Sequence, residues 1–135
     1  MTDSARSTFG THLTLDLERC DPSTLADLSR IFDLLDKLPD LLNMTKVAPP
    51  YVFPYVGKVP DDRGITGFVV IAESHISVHT FELKGYAFVD VFSCKHFDTE
   101  EAKRFIVKAL GAQCVKAHAL TRGAGFPRST AGHPA

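Results

Sequence analysis

The sequence predicts an α+β two-layer sandwich, an antiparallel sheet with two helices on one face. Three observations lead there. Strand-like stretches at 65–72, 75–81 and 86–94 follow one another with no helix between them, and strands in immediate succession pair as antiparallel hairpins. Two helical patterns flank this run, with one alternating stretch before the first and another after the second, giving the order β-α-(edge β)-β-β-β-α-β. The 135 residues, 44% apolar and 23% charged, fit one domain that can bury a core without metals or disulfides.

Each element has a local reason. From His12 to Leu17, Leu13, Leu15 and Leu17 alternate with His12, Thr14 and Asp16, the pattern of a half-buried strand. Asp21-Pro22 reads as a helix N-cap with proline at the first helical position. Leu25, Leu28, Ile31, Leu34 and Leu35 then recur at helical spacing to Lys37, and Pro39 is expected to stop the helix. Between 44 and 64, Pro49, Pro50, Pro54 and Pro60 interrupt regular structure, leaving Tyr51-Val52-Phe53 as a short edge strand. Asp61-Asp62-Arg63-Gly64 reads as a turn, and Lys84-Gly85 as the turn of the last hairpin. Asp98 or Thr99 caps a second helix with Ala102, Phe105, Ile106 and Leu110 inward, ended by Gly111. Cys114 to Leu120 alternates as a last strand, and 122–135, rich in Gly and Pro, is expected to be a loose tail.

The bulk numbers exclude several classes. Net charge is −1 with Lys and Arg scattered, so nucleic acid is not an expected partner. The longest apolar run, Phe68 to Ala72, is far too short to span a bilayer. Met1 to Gly10 is polar, so no secretion signal is expected. Cys20, Cys94 and Cys114 form no CxxC pair, which fits a reducing cytoplasm and no disulfide framework. Cys94-x-His96 has metal-capable side chains, but two ligands at that spacing do not make a zinc site, and no metal is expected.

The chemistry is concentrated in Glu73-Ser74-His75-Ile76-Ser77-Val78-His79-Thr80, where two histidines and three hydroxyls fall within seven positions. By spacing alone this is a strand whose polar face carries His75, Ser77 and His79. There is no Gly-x-Ser-x-Gly elbow, so a serine near a histidine is not a triad. Cys94 by itself reads as a small buried strand residue.

That segment resembles the self-processing motif of the prokaryotic S-adenosylmethionine decarboxylases. The resemblance continues through Gly64-Ile65-Thr66-Gly67, Gly85-Tyr86 and Val89-Asp90-Val91-Phe92-Ser93-Cys94. Gly10-Thr11-His12 and Cys20-Asp21 match the family's opening strand and helix, so the likeness covers most of residues 10–120. It implies a pyruvoyl-dependent carboxy-lyase made as a proenzyme with an S-adenosylmethionine decarboxylase-like fold. The chain would cut itself between Glu73 and Ser74 into residues 1–73 and 74–135, and Ser74 would become the pyruvoyl group. A hydroxyl on Cβ is needed to attack and to leave as part of an ester, which serine supplies. By the same resemblance Thr66 matches the hydroxyl that stabilises the tetrahedral oxyanion, and His79 the processing base. Cys94 matches the later proton donor, a role that suits a tunable thiol. The pyruvoyl carbonyl would form a Schiff base with the substrate amine and act as the electron sink. Alternation puts Ser74 and His79 on opposite faces, so the chain is expected to turn or bulge at Glu73-Ser74. The resemblance also implies a homodimer, or a larger assembly, with active sites drawn from both protomers near the sheet interface. Its implied product is the aminopropyl donor of polyamine (spermidine) synthesis.

The sequence departs from the family after His79-Thr80. The familiar Trp-Pro-Glu is Phe81-Glu82-Leu83, so the usual ribose-binding carboxylate is replaced by Leu83. Phe81 and Glu82 are the substrate-binding candidates, although Glu82 faces the other way on a strand. A pocket for ornithine or arginine would need a carboxylate for the distal cation, and Glu82, Asp61 or Asp62 offers one. Two further readings stand beside the enzyme: an inactive regulatory paralogue and an unrelated α+β ligand-binding module. Asp90 reads as a structural or supporting carboxylate, and His75, Ser77, His96 and His118 receive no role.

Overall fold

A computed structural model describes residues 7–129. The alternating leucines form β1 (Gly10–Glu18), with Leu13, Leu15 and Leu17 buried and His12, Thr14 and Asp16 on the other face. The helical stretch divides in two. Asp21 caps α1 (Pro22–Leu25), and Asp27 caps α2 (Leu28–Leu41) with its carboxylate accepting from Ser29 and Arg30 N–H. The single helix expected from Pro22 to Lys37 is therefore broken at Ala26–Asp27, because a side chain that satisfies new helix N–H groups starts a second helix. Pro39 does not stop α2; it lies buried in the last turn, where few backbone bonds remain to be lost.

The strands that follow are β2 (Tyr51–Tyr55), β3 (Gly64–Ile71), β4 (Ser74–Phe81) and β5 (Tyr86–Ser93). Short 3-10 turns at Pro60–Asp62 and Glu82–Lys84 separate them. Then come α3 (Thr99–Leu110), capped by Asp98, and β6 (Cys114–Arg122). Gly111 ends α3 at φ 64°, a backbone that glycine adopts without strain.

Among the described residues the six strands form one antiparallel sheet in the order β2-β3-β4-β5-β1-β6. β1 lies between β5 and β6, an arrangement no hairpin rule anticipates. Leu13, Leu15, Ile65, Val69, Ile76, Val78, Val89 and Val91 face the helices, where Ile31, Leu35 and Leu38 of α2 and Ile106 and Leu110 of α3 bury against them. Thr80, the polar residue in this layer beside α1, is satisfied: its hydroxyl donates to Leu25 C=O at 2.8 Å and accepts from Ile65 N–H at 2.9 Å.

Among the described residues no layer covers the opposite face. It carries Phe53, Tyr51, Phe68, Phe81, Tyr86, Phe88 and Phe92 among His12, His75, His79 and Asp90, with Phe68 41% and Phe88 39% exposed. Arg122, at the start of the expected loose tail, is the last residue of β6. Residues 123–129 are also held: Phe126 packs edge-on to Phe9, and Arg128 donates to the Thr8 and Phe9 carbonyls. Residues 1–6 of the polar N-terminal stretch and 130–135 of the tail lie outside the described residues.

Candidate active site

β3 and β4 are joined by two residues, Ala72 and Glu73, with Ile71 opposite Ser74. Two-residue hairpin loops favour Asn-Gly, Asp-Gly or a leading Gly, because the matching turns need positive φ. Ala72-Glu73 offers none of these, and neither residue has a positive φ. The unusual backbone falls instead on Ser74, at φ 155°, a region that residues with a Cβ rarely enter. Such a conformation costs about 1–3 kcal/mol and persists only where its surroundings impose it.

Those surroundings are specific. The Cys94 backbone N–H donates to the Glu73 carbonyl oxygen at 2.9 Å, and the Thr45 N–H donates to the Glu73 carboxylate at 3.2 Å. Ser74 pairs with buried Ser93, whose hydroxyl donates to Lys95 C=O and accepts from Lys95 N–H, both at 2.9 Å. β1 starts hard against this corner: a Cβ on Gly10 would sit 1.9 Å from Ser93 O and 2.7 Å from Cys94 Cα, so only glycine fits. Glu73, Ser74 and Cys94 thus meet at one end of the sheet.

Thr66 and His79 meet elsewhere. They are directly opposed across β3 and β4 on the open face, with Thr66 Oγ1 3.4 Å from His79 Nδ1. Five positions along each strand separate this pair from the Ile71–Ser74 pair, roughly 16 Å of strand. The hairpin turn lies at Ala72-Glu73, one residue before the expected Glu73-Ser74, and it does not bring Ser74 to His79 within one chain.

The Thr66–His79 pair opens into a cavity of about 610 Å³ lined by Phe53, Tyr55, Lys58, Asp62 and Phe81, a size typical of small-molecule sites. Phe81 lies edge-on to Phe88 at 5.8 Å. Glu82 is not part of the lining; its carboxylate accepts from Arg63 Nε at 3.2 Å, and Leu83 is 55% exposed. Asp62 is the carboxylate on this wall, with one oxygen 2.5 Å from Lys84 Nζ, which raises the lysine pKa through that hydrogen bond. Phe53 and Tyr55, from the proline-rich 44–64 stretch, form a wall of this cavity, although neither stood among the substrate-binding candidates. Their signal was the alternation Tyr51, Phe53, Tyr55, which aligns three aromatic rings on one face of an edge strand.

The sequence profile described as S-adenosylmethionine decarboxylase matches residues 11–123. The chain belongs to the S-adenosylmethionine decarboxylase family. It is 35% identical over 127 residues to the S-adenosylmethionine decarboxylase proenzyme of Pyrococcus furiosus, an alignment covering 93% of this chain and 87% of that protein. It is 33% identical over 116 residues to the protein of the same name from Thermodesulfovibrio yellowstonii, covering 85% and 82%. The crystal structure of the adenosylmethionine decarboxylase from Aquifex aeolicus superposes with a TM-score of 0.75 at 28% identity, covering 91% of this chain and 98% of that one. The α+β sandwich is thus the fold of this family.

Other polar side chains share the open face with Thr66 and His79. Asp90 accepts from His12 Nε2 at 3.3 Å, and Arg122 Nη1 lies 3.2 Å from His12 Nδ1 with its guanidinium 4.2 Å from the Phe92 ring centre. A guanidinium only donates, so Nδ1 accepts and Nε2 carries the proton toward Asp90. His75 sits edge-on to the same ring at 5.7 Å. Burial pushes the Cys20 thiol up to about 11, which makes it a core residue with no thiolate at neutral pH. Among the described residues no three His, Cys, Asp or Glu side chains gather as metal ligands, and no helix is long and apolar enough to cross a membrane.

Proposed function

We propose that this chain is an S-adenosylmethionine decarboxylase proenzyme that cuts itself between Glu73 and Ser74, turns Ser74 into a pyruvoyl group, and works as a cytoplasmic homodimer. The observation that carries the reading is the hairpin turn itself. The bond to be broken lies between a carbonyl already held by a backbone N–H and a serine at φ 155°.

In the first step the Ser74 hydroxyl adds to the Glu73 carbonyl carbon. The C–N bond breaks and the hydroxyl proton ends on the Ser74 nitrogen, leaving an ester. The Cys94 N–H at 2.9 Å donates to the oxygen that becomes negative, and Thr66 of a second copy supplies another donor. His79 of the second copy takes the Cα proton of residue 74, the Cβ–O bond breaks, and Glu73 departs as a carboxylate. The dehydroalanine tautomerises, takes up water and releases ammonia, and residues 74–135 begin with the pyruvoyl group.

The corner fits that group, because Ser74 is half-buried and shares it with Cys94. When in place the group supplies the electron sink for the pair left behind as CO2 departs. Cys94 then returns a proton to the substrate α-carbon. Phe53, Tyr55 and Phe81 offer ring faces to an adenine, and Asp62 offers the sugar hydroxyls the acceptor that is absent at Leu83.

Homodimerisation is supported by the separation of the two halves of the site. Thr66 and His79 lie roughly 16 Å along the strands from Ser74 of their own chain, and the uncovered face between them is rich in aromatic rings. A second copy packed on that face under two-fold symmetry would bring each His79 to the other chain's Ser74. Neither an ornithine or arginine decarboxylase nor an inactive paralogue finds support among the relatives.

Denaturing intact mass of the full chain tests this reading. Two fragments split between Glu73 and Ser74, the second with a blocked N-terminus, are expected, with a single intact chain for Ser74→Ala. A wild-type chain that stays whole under all conditions overturns it. Release of CO2 from S-adenosylmethionine, set beside ornithine and arginine, then fixes the substrate.

A further inference from the structure

Residues 43–47, leading into the proline-rich segment, form a strap along the end of β3 in the hairpin that carries Ser74. Val47 N–H donates to Val70 C=O at 3.0 Å, Lys46 bridges to Ile71, and Ala72 N–H donates to Thr45 C=O at 2.8 Å. Thr45 N–H then reaches beyond the turn to the Glu73 carboxylate at 3.2 Å. The strap is tied at both ends. Lys46 Nζ donates to the Asp36 side chain of α2 at 2.5 Å, and Lys95 Nζ donates to Asn43 C=O at 2.6 Å. Neighbouring residues therefore grip both sides of the turn, Cys94 holding the Glu73 carbonyl and Lys95 the strap.

We infer that the Glu73 side chain is a positioning residue for self-cleavage, docked on the strap so that its own carbonyl stays on the Cys94 N–H and Ser74 stays at its unusual φ. The inference rests on the self-cleavage reading. The residues of the loop do not make the turn on their own account: Ala72-Glu73 lacks the glycine or asparagine that would set a two-residue turn, and neither residue has a positive φ. Something outside the loop has to impose the geometry, and Glu73 is the loop side chain with a bond to the strap. The carboxylate itself gains and loses nothing in the acyl shift. The C–O bond forms at the Glu73 carbonyl carbon, the C–N bond breaks, and the proton moves from Ser74 Oγ to its nitrogen. A carbonyl carbon held within attack distance reacts faster than one that swings, because the orientation is already set.

The test is a time course of cleavage in the full chain made by cell-free translation and sampled by denaturing mass spectrometry. Glu73→Ala is expected to slow the appearance of the 74–135 fragment about tenfold. Glu73→Gln keeps an oxygen that accepts from Thr45 N–H and is expected to restore cleavage to within about threefold of wild type. Thr45→Pro removes the donor and is expected to slow cleavage as Glu73→Ala does, with the double variant no slower than either. Circular dichroism on Ser74→Ala versions of each variant separates misfolding from loss of positioning, and the Glu73→Ala and Glu73→Gln pair decides the matter if Thr45→Pro does not fold. Cleavage of Glu73→Ala at the wild-type rate, or Glu73→Gln as slow as Glu73→Ala, overturns the inference. A wild-type chain that never cleaves overturns instead the self-cleavage reading beneath it.

Discussion

Co-expression of Ser74→Ala with His79→Ala puts the shared-site reading under direct strain. Each variant alone should stay whole, the first for want of a nucleophile and the second for want of a base. The roughly 16 Å of strand between Ser74 and His79 in one chain leaves the base far outside hydrogen-bond reach of its own serine. In a mixed dimer one corner holds Ser74 from the His79→Ala chain facing His79 from the Ser74→Ala chain, and the other holds two alanines. Random pairing of equal amounts makes about half of all dimers mixed, so about half of the His79→Ala chains, and a quarter of all chains, should be cut. Different affinity tags allow mixed dimers to be purified, and intact mass reads which chain was cut. No cleavage in purified mixed dimers, beside a wild type that cleaves fully, refutes the reasoning. So does His79→Ala cleaving alone, because the base would then come from elsewhere.

Two other outcomes follow from particular residues. Phe53→Ala and Asp62→Asn should raise KM for S-adenosylmethionine about tenfold or more while leaving a cleaved chain, since both line the cavity and neither touches the hairpin turn; loss of cleavage with unchanged KM in the residual enzyme would contradict that placement. The Cys20 thiol, raised from 9.0 to about 11 by burial, favours the fold while it stays protonated. Its contribution is full below pH 9.0 and is lost as pH rises toward about 11, because the unfolded chain releases its proton first. Denaturant unfolding of Ser74→Ala across that range, beside the same protein with Cys20→Ala, should show a shallower alkaline decline in the latter; identical slopes would refute it.

Much of the fold was readable from local pattern. The leucines of β1, the inward residues of α3 and the cap at Asp98 depend on side chains a few positions apart, and the structure keeps them. The break between α1 and α2 was readable in principle, since Asp27 stands before Leu28 as a second cap. It was masked by leucines that keep helical spacing across the gap. Pro39 misled for the opposite reason: proline ends a helix from its interior, but α2 was already within a turn of its end.

The candidate site divides in the same way. Ser74, His79, Cys94 and Thr66 came from a contiguous motif and its flanks, whereas strand parity, which called for a turn at Glu73-Ser74 to unite Ser74 with His79, did not foresee that one chain keeps them apart. The family was therefore legible in the sequence, because the motif that carries the resemblance is contiguous, and the candidate site residues came with that resemblance. The tertiary structure decided what depends on the separation of residues in space. It inserted β1 between β5 and β6, set Thr66 and His79 at one end of the strands and Ser74 and Cys94 at the other, made a cavity wall of Phe53, Tyr55 and Asp62, and laid Thr45 across the turn. Periodicity tells which face a residue takes, but strand neighbours and register are chosen by burial of the whole apolar face at once, and that sum has no signature in any short stretch of sequence.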